Sequence, residues 1–149
     1  MYEILTVIHS FLRWAVLLLL LATIIKSLNG LITKRSFSNS DNKISLFMMI
    51  SAHTQLLVGL LLYFVSPNVQ FGNMKDDGIR FFTMEHSSMM IIAIVFMTLA
   101  RILSKKATID NAKFKKLFIF STIALLIILV AIPWPFYPAA FSRPWFSPN

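Results

Sequence analysis

Four long apolar runs, separated by short polar stretches, constrain the fold of this chain more than any other feature. They cover about residues 4–32, 44–65, 79–104 and 117–132. A helix of about 20 apolar residues crosses the ~30 Å hydrocarbon layer of a bilayer. Hydrophobic residues make up 57% of the chain and charged residues only 13%, which excludes an ordinary soluble domain. We therefore expect an all-α membrane protein with four transmembrane helices.

The polar stretches between the runs are short, so consecutive helices should be antiparallel neighbours. This predicts a single domain, an up-down-up-down four-helix bundle. The first run is too long for the core of a signal peptide and lacks a basic start, so we expect it to be retained as a helix. Prolines recur after the fourth run, which predicts an extended, turn-rich tail over residues 133–149. Its aromatic residues suit the membrane interface: Trp134, Phe136, Tyr137, Trp145 and Phe146.

The net charge of +8 is distributed as membrane topology requires, not as a nucleic-acid surface. Most basic residues flank the polar stretches after the first and third runs: Lys26, Lys34, Arg35, Lys43, Arg101, Lys105, Lys106, Lys113, Lys115 and Lys116. The other side has Lys75, Arg80 and Arg143, offset by Glu3, Asp76 and Asp77. The positive-inside rule then predicts that both basic connectors are cytoplasmic and both termini lie outside, which in a bacterial inner membrane is the periplasm.

The chain contains no cysteine. This excludes disulfides, thiolate metal sites and the covalent attachment of c-type haem through a CxxCH motif.

Ionisable residues inside the apolar runs are the candidates for function. Glu85 and His86 lie one or two turns inside the third run, where such residues usually face the bundle interior and mark a ligand, cofactor or ion path. At ~1.5 Å per residue, His86 lies ~10 Å and His9 ~8 to ~16 Å outward of the midplane. His9 and His86 can therefore share one layer, whereas His53 should lie near the midplane.

The first and third helices should occupy diagonal corners of the bundle, ~11 to 14 Å apart. Two imidazoles with a metal between them can fill that gap. Met90 continues the face of His86 with small and soft residues, which would permit a planar cofactor. Such stripes are also common in ordinary helix packing.

Two kinds of charged neighbour accompany the histidines. Arg13, Arg80 and Arg143 are candidates to pair with the propionates of a haem. Arg13 alternatively extends outward along the helix or pairs with Glu85. For Glu85 we expect either neutralisation of Arg13 or a hydrogen bond that orients His9.

Each histidine also has a simpler explanation, as a neutral side chain that is hydrogen-bonded between helices. For His53, with Gln55 nearby on a different face, packing or a second polar site explains the residue better than iron ligation. A quinone or proton path through His53 is a further interpretation.

Several segments can now be compared with a known family: HSFLRW (9–14), SAHTQLLVGLLLYF (51–64), RFFTMEHSSMM (80–90) with the later Ala100 and Arg101, and PWPFYPAAFSRPWF (133–146). Together they cover nearly the whole chain, which resembles a group of small bacterial four-helix membrane proteins described as cytochrome-b-like. The resemblance implies b-type haem held by histidines and a role in membrane electron transfer. With three histidines, the chain can supply at most one bis-histidine haem.

The sequence therefore predicts one haem b near the outer face, bound by His9 and His86. Two histidine ligands fill both axial positions of the iron, which favours single-electron transfer over oxygen chemistry. Quinone or a larger respiratory complex would be the partner, and the chain would be an electron-transfer protein or subunit more than a stand-alone enzyme. The alternatives are a structural or accessory subunit without redox function and a small transporter or proton-conducting protein.

Overall fold

The computed structural model describes residues 1–146, which form four long helices and no strand. They are α1 (Tyr2–Thr33), α2 (Asn39–Val65), α3 (Asp77–Lys106) and α4 (Asp110–Ala131). All four are long and apolar enough to cross a membrane, so the predicted all-α, four-span fold is confirmed. Residues 147–149, the end of the predicted tail, lie outside the described residues.

The four helices pack in a ring. Each helix contacts its neighbour in sequence, and α1 closes the ring against α4. As a result α1 and α3 face each other across one diagonal, as expected for an up-down-up-down bundle. We call the end of the bundle that holds Tyr2, Val65, Asp77 and Ala131 the terminal end, and the opposite end the connector end.

The helices extend beyond the predicted apolar runs. α4 begins at Asp110 rather than near residue 117, and α2 begins at Asn39 rather than near residue 44. Lysine is a good helix former, so a helix continues past the last apolar turn. At α2, Ser38 and Asp41 form a capping box that sets the first turn. Several residues predicted in connectors therefore lie on helices: Lys43, Lys113, Lys115 and Lys116.

α3 is interrupted by a π-helical segment at Phe81–Glu85, between α-helical Asp77–Arg80 and His86–Lys106. The backbone N–H of His86 donates to the carbonyl of Phe81, five residues earlier. Because a π-helix joins residues five apart, such residues lie above one another in this segment. Single-turn π segments are often found at functional sites.

Small side chains allow the helices to approach closely. Ala52, Ala93, Ala100 and Ala124 are fully buried where the helices meet, as is common between membrane helices. At the connector end the backbone of Gly30 lies directly on the ring of Phe114, and a Cβ there would be 2.5 Å from the ring.

The connector end contains a buried acidic residue with its partners. Asp41 is 1% exposed and binds both Nη1 and Nη2 of Arg35, at 2.6 and 2.8 Å. The Lys26 ammonium lies 3.4 Å from the same carboxylate. The hydrogen bonds that Arg35 donates to Asp41 raise the pKa of the Arg35 guanidinium above its ordinary value. A bidentate pair of this kind ties the end of α1 to the start of α2.

Arg101 of α3 is also buried at the connector end. Its Nη1 donates to Asn42 Oδ1 at 2.7 Å and to Ser45 Oγ at 3.2 Å. These bonds join α3 to α2 with neutral acceptors.

The tail after α4 has no helix up to residue 146 and folds back over the terminal end and along α1. The Trp145 ring lies 5.9 Å from that of Trp14, and the Phe146 ring 5.7 Å from that of Phe11. The Trp145 carbonyl accepts hydrogen bonds from Arg13 Nη2 at 2.6 Å and from Trp14 Nε1 at 3.4 Å. The tail is thus fixed to the first helix by both contacts between aromatic rings and hydrogen bonds.

Candidate functional site

The structure brings His9 and His86 together across the α1–α3 diagonal. Their ring centroids are 6.4 Å apart and the ring planes are inclined by 66°. Two imidazoles bound to opposite sides of one metal, at the distance of about 2 Å that histidine keeps to metals such as zinc, have ring centres about 6 Å apart. The separation of the two rings therefore matches what a shared metal requires.

The orientation of His86 is fixed by the end of α4. Its Nδ1 lies 2.7 Å from the carbonyl oxygen of Ala131 at the end of α4. A carbonyl oxygen only accepts, so Nδ1 carries the hydrogen and Nε2 of the neutral ring keeps its lone pair. A backbone carbonyl on the far nitrogen is the usual support of a metal-ligating histidine. Phe81 and Phe82 lie against the same ring, at 5.9 and 6.2 Å.

His9 is held by packing more than by hydrogen bonds. A Cβ on Gly59 of α2 would lie 3.2 Å from His9 Cε1, so the glycine provides the space for the ring. Gln55 Nε2 donates to the main-chain carbonyl of His9 at 3.0 Å. Nδ1 of His9 is buried and has no hydrogen-bond partner among the described residues. Packing therefore positions the ring, and Nδ1 makes no hydrogen bond to the described residues.

Both histidines line a cavity of about 180 Å³. The predicted residues Arg13, Met90 and Arg143 also line it, together with Gln55. Within residues 1–146, four buried side-chain polar atoms have no hydrogen-bond partner, and three of them belong to residues of this cavity: His9 Nδ1, Arg13 Nε and Gln55 Oε1. Buried polar groups normally have a partner, so this cluster indicates a site built for a ligand or for water.

Two arginines give the cavity a positive character. The guanidinium of Arg143 lies 4.4 Å from the centre of the Phe82 ring at the terminal end. Burial lowers the pKa of Arg143, yet an arginine keeps its charge in proteins. Arg13 uses Nη2 to bind the Trp145 carbonyl and leaves Nε unpaired. An anionic group in the cavity would therefore find complementary charge.

The cavity opens sideways between α2 and α3. Leu60 of α2 and Ile91 of α3 both line it and are 41% and 48% exposed on the outer surface of the bundle. The side wall at this position is therefore incomplete.

The structure corrects the predicted partner of Glu85. Its Oε1 accepts from Arg80 Nε at 2.9 Å, and both side chains are about half exposed, so Glu85 contacts neither Arg13 nor His9. Arg80 also binds Asp77 at 2.9 Å. The π segment explains the difference, because it places residues five apart on one face. Neither Arg80 nor Glu85 lines the cavity.

His53 bonds to a threonine on α3. Thr98 Oγ1 donates to the carbonyl of Ile94 at 2.7 Å, so it accepts the hydrogen of His53 Nε2 at 3.2 Å. This bond links α2 to α3, and His53 does not line the cavity.

The donor set suits haem better than a free metal ion. Within residues 1–146, no group of three or more His, Cys, Asp or Glu side chains could hold a metal ion. A free zinc ion typically needs three or four protein ligands. Haem brings its own four nitrogens and needs only the two axial ligands that His9 and His86 can supply. The enclosed volume is below the ~300 Å³ at which cofactor pockets begin, so a macrocycle would also occupy the opening between α2 and α3.

A comparison with protein-family models finds no match to this chain, and comparisons with curated proteins and with solved structures find none either. The functional argument therefore depends on the geometry of the site, and the resemblance to cytochrome-b-like proteins stays a prediction.

Sequence reasoning missed several groups of the site. The carbonyls of Ala131 and Trp145 carry no side-chain signal, so a sequence does not reveal them. The sequence associates Gln55 only with His53, although its side chain donates to the main-chain carbonyl of His9. Gln55 is the last polar residue before the apolar stretch of residues 56–62, and that position is the available signal.

Proposed function

We propose that this protein is a b-type haem protein that passes single electrons in a bacterial inner membrane. One observation carries the proposal: the His9 and His86 rings lie 6.4 Å apart while His86 Nδ1 donates a hydrogen bond to the Ala131 carbonyl. Because Nδ1 carries the hydrogen, the Nε2 lone pair is available for iron. When bound, haem supplies an iron that changes between its ferrous and ferric states and so carries one electron.

The surrounding residues have separate tasks in this proposal. His86, oriented by the Ala131 carbonyl, and His9, positioned by its packing on Gly59, would hold the haem iron. Arg143 and Arg13 offer positive charge to the two carboxylates of haem. Met90 forms part of the apolar wall. Two histidines holding the iron would leave no position for substrate, which suits electron transfer.

The orientation in the membrane belongs to the same proposal. The basic residues around the two short connectors support a cytoplasmic position for the connector end. The haem would then lie near the periplasmic side, close to both termini. Quinone or a larger respiratory complex would exchange electrons with it.

The absorption spectrum tests the proposal directly. Protein purified in detergent from haem-replete cells should show a Soret band that shifts when dithionite is added. His9→Ala or His86→Ala should remove this spectrum, while His53→Ala serves as the matched control and should keep it. Circular dichroism should show that all three variants remain helical.

Two results would contradict the proposal. Colourless wild-type protein from haem-replete cells would leave a helical bundle without redox function, and the accessory-subunit alternative would then predict stable co-purification with a larger complex. A spectrum that depends on His53 but not on His9 would keep the cofactor and overturn the ligand assignment.

A further inference from the structure

The opening between α2 and α3 is framed by two hydrogen bonds. Towards the terminal end, Tyr63 Oη donates to the carbonyl of Thr83 at 2.9 Å. Towards the connector end, His53 bonds Thr98 at 3.2 Å. Thr83 and Thr98 are fifteen residues apart on α3, which is about 20 Å along the helix. Between these two bonds the cavity separates α2 from α3. Among the described residues, no side-chain hydrogen bond joins the two helices there.

This opening faces the hydrocarbon layer. It lies within the apolar stretches of both helices. The small Thr54 and Ser88 are also exposed nearby, and the large exposed side chains that surround it are apolar: Leu57, Leu60, Leu61, Ile91, Ile92 and Val95. A molecule that enters here therefore comes from the bilayer and not from water.

The aqueous end of the cavity is covered. Asn68 of the α2–α3 loop donates from Nδ2 to Tyr2 Oη at 3.1 Å, and both residues line the cavity. Beside them, Arg143 of the tail lies over Phe82. A bulky ligand would have to separate both contacts in order to enter from the terminal end.

From these observations we infer that the opening between Leu60 and Ile91 is the entrance through which the cavity takes up its ligand from the bilayer. The inference rests on the proposed function in taking haem as that ligand. Haem is amphipathic: its macrocycle is apolar and dissolves in the bilayer, and its carboxylates match the arginines of the cavity. Leu60 and Ile91 are then the residues that limit the rate of uptake.

The test measures haem uptake from lipid. Haem-free protein is reconstituted in phosphatidylcholine vesicles, hemin is supplied in vesicles of the same lipid, and the rise of the Soret band is followed. Leu60→Trp should slow uptake about tenfold, equivalent to about 1.4 kcal/mol in the activation barrier, because the indole narrows the opening. Leu57→Trp is the matched control, since Leu57 is exposed on the same helix but does not line the cavity. Its uptake rate should equal that of the wild type.

A reversible lock gives a second test. The chain has no cysteine, so Leu60→Cys with Ile91→Cys introduces the only two thiols. Linking them with a reducible bifunctional thiol reagent should stop uptake, and cleaving the link should restore it. Each single cysteine variant treated with the same reagent controls for modification alone.

A third measurement does not use bound haem. Phosphatidylcholine with a photoreactive diazirine on the acyl chain should label Leu56 or Met90 in the haem-free protein, since both line the cavity behind the opening. Leu60→Trp should reduce this labelling, and Leu57→Trp should not.

The possible failures are distinguishable. If wild-type protein never develops a Soret band, the proposed function fails and the entrance for haem fails with it. If haem binds but Leu60→Trp, Leu57→Trp and the locked protein take it up at the wild-type rate, only the entrance is overturned.

Discussion

The two ends of the bundle differ in whether their buried polar groups have hydrogen-bond partners. At the connector end Asp41 is fully buried, and Arg35, Lys26 and Ser38 all contact its carboxylate. At the terminal end, buried atoms of His9, Arg13 and Gln55 have no partner among the described residues. At the connector end the buried carboxylate is fully paired, whereas at the terminal end the residues with unpaired polar atoms line a cavity.

This difference suggests that the connector end mainly stabilises the fold and the terminal end mainly binds a ligand. A buried polar group without a partner costs about 1–3 kcal/mol, which a ligand that pairs with it can recover. The terminal end therefore gains from occupancy, whereas the buried Asp41 carboxylate of the connector end is already paired with Arg35 and Lys26. We expect substitutions at the connector end to change the free energy of unfolding and those at the terminal end to change the proposed haem site.

The largest effect is expected at Asp41. Asp41→Asn leaves Arg35 and Lys26 without their carboxylate, and breaking a buried ion pair costs about 3–5 kcal/mol. Because both cations are about one-third exposed, we expect the lower limit, about 3 kcal/mol, in a detergent unfolding titration. Asp110→Asn is the control, since Asp110 is 42% exposed and lies 3.7 Å from Lys113. It should change the unfolding free energy by less than about 0.5 kcal/mol. Equal effects of the two variants would remove the distinction between the ends.

Two glycines give an intermediate test. Gly30→Ala places a methyl group 2.5 Å from the buried Phe114 ring, and overpacking of this kind costs about 1–3 kcal/mol. Gly59→Ala places one 3.2 Å from His9 Cε1, which requires only a small shift of the imidazole. We expect Gly30→Ala to lower the unfolding free energy by about 2 kcal/mol with the haem spectrum unchanged. Gly59→Ala should speed the transfer of haem to apomyoglobin while stability changes little.

Gly72→Ala is the control for both glycine variants, because a Cβ there has no atom within 4 Å. If Gly59→Ala leaves haem transfer at the Gly72→Ala rate, His9 is not held by α2 as the structure indicates.

The smallest effect is expected at Glu85. An exposed ion pair such as Arg80–Glu85 contributes about 0–1 kcal/mol and is weakened by salt. Glu85→Gln should lower the unfolding free energy by less than about 0.5 kcal/mol and leave the haem spectrum as it is. A shifted spectrum would instead support the sequence-based pairing of Glu85 with the cavity residues.

The sequence predicted the fold well because a bilayer leaves few choices. Apolar runs of membrane length must be helices, and short connectors make them antiparallel. The ends of the helices were less accurate, since lysines such as Lys113 form helices as readily as connectors. The structure places them on the first turns of α4.

The site was predictable in part. Depth and bundle geometry brought His9 and His86 into one layer, because both follow from helical rise and helix order. The partner of Glu85 was wrong, since one π-helical turn shifts the faces of all residues before it. The Ala131 and Trp145 carbonyls were also not predictable, because every residue has a carbonyl and only the fold selects which one is used.

The π-helical turn makes α3 one residue longer than a regular helix over the same height. A deletion of one residue between positions 81 and 85 would restore the regular spacing. His86 and everything after it would stay in place, while the loop before Arg80 would rotate by about 100° around the helix axis. A deletion of one residue would here rotate the α2–α3 loop, which covers the aqueous end of the cavity, while the imidazoles of His9 and His86 would stay in place.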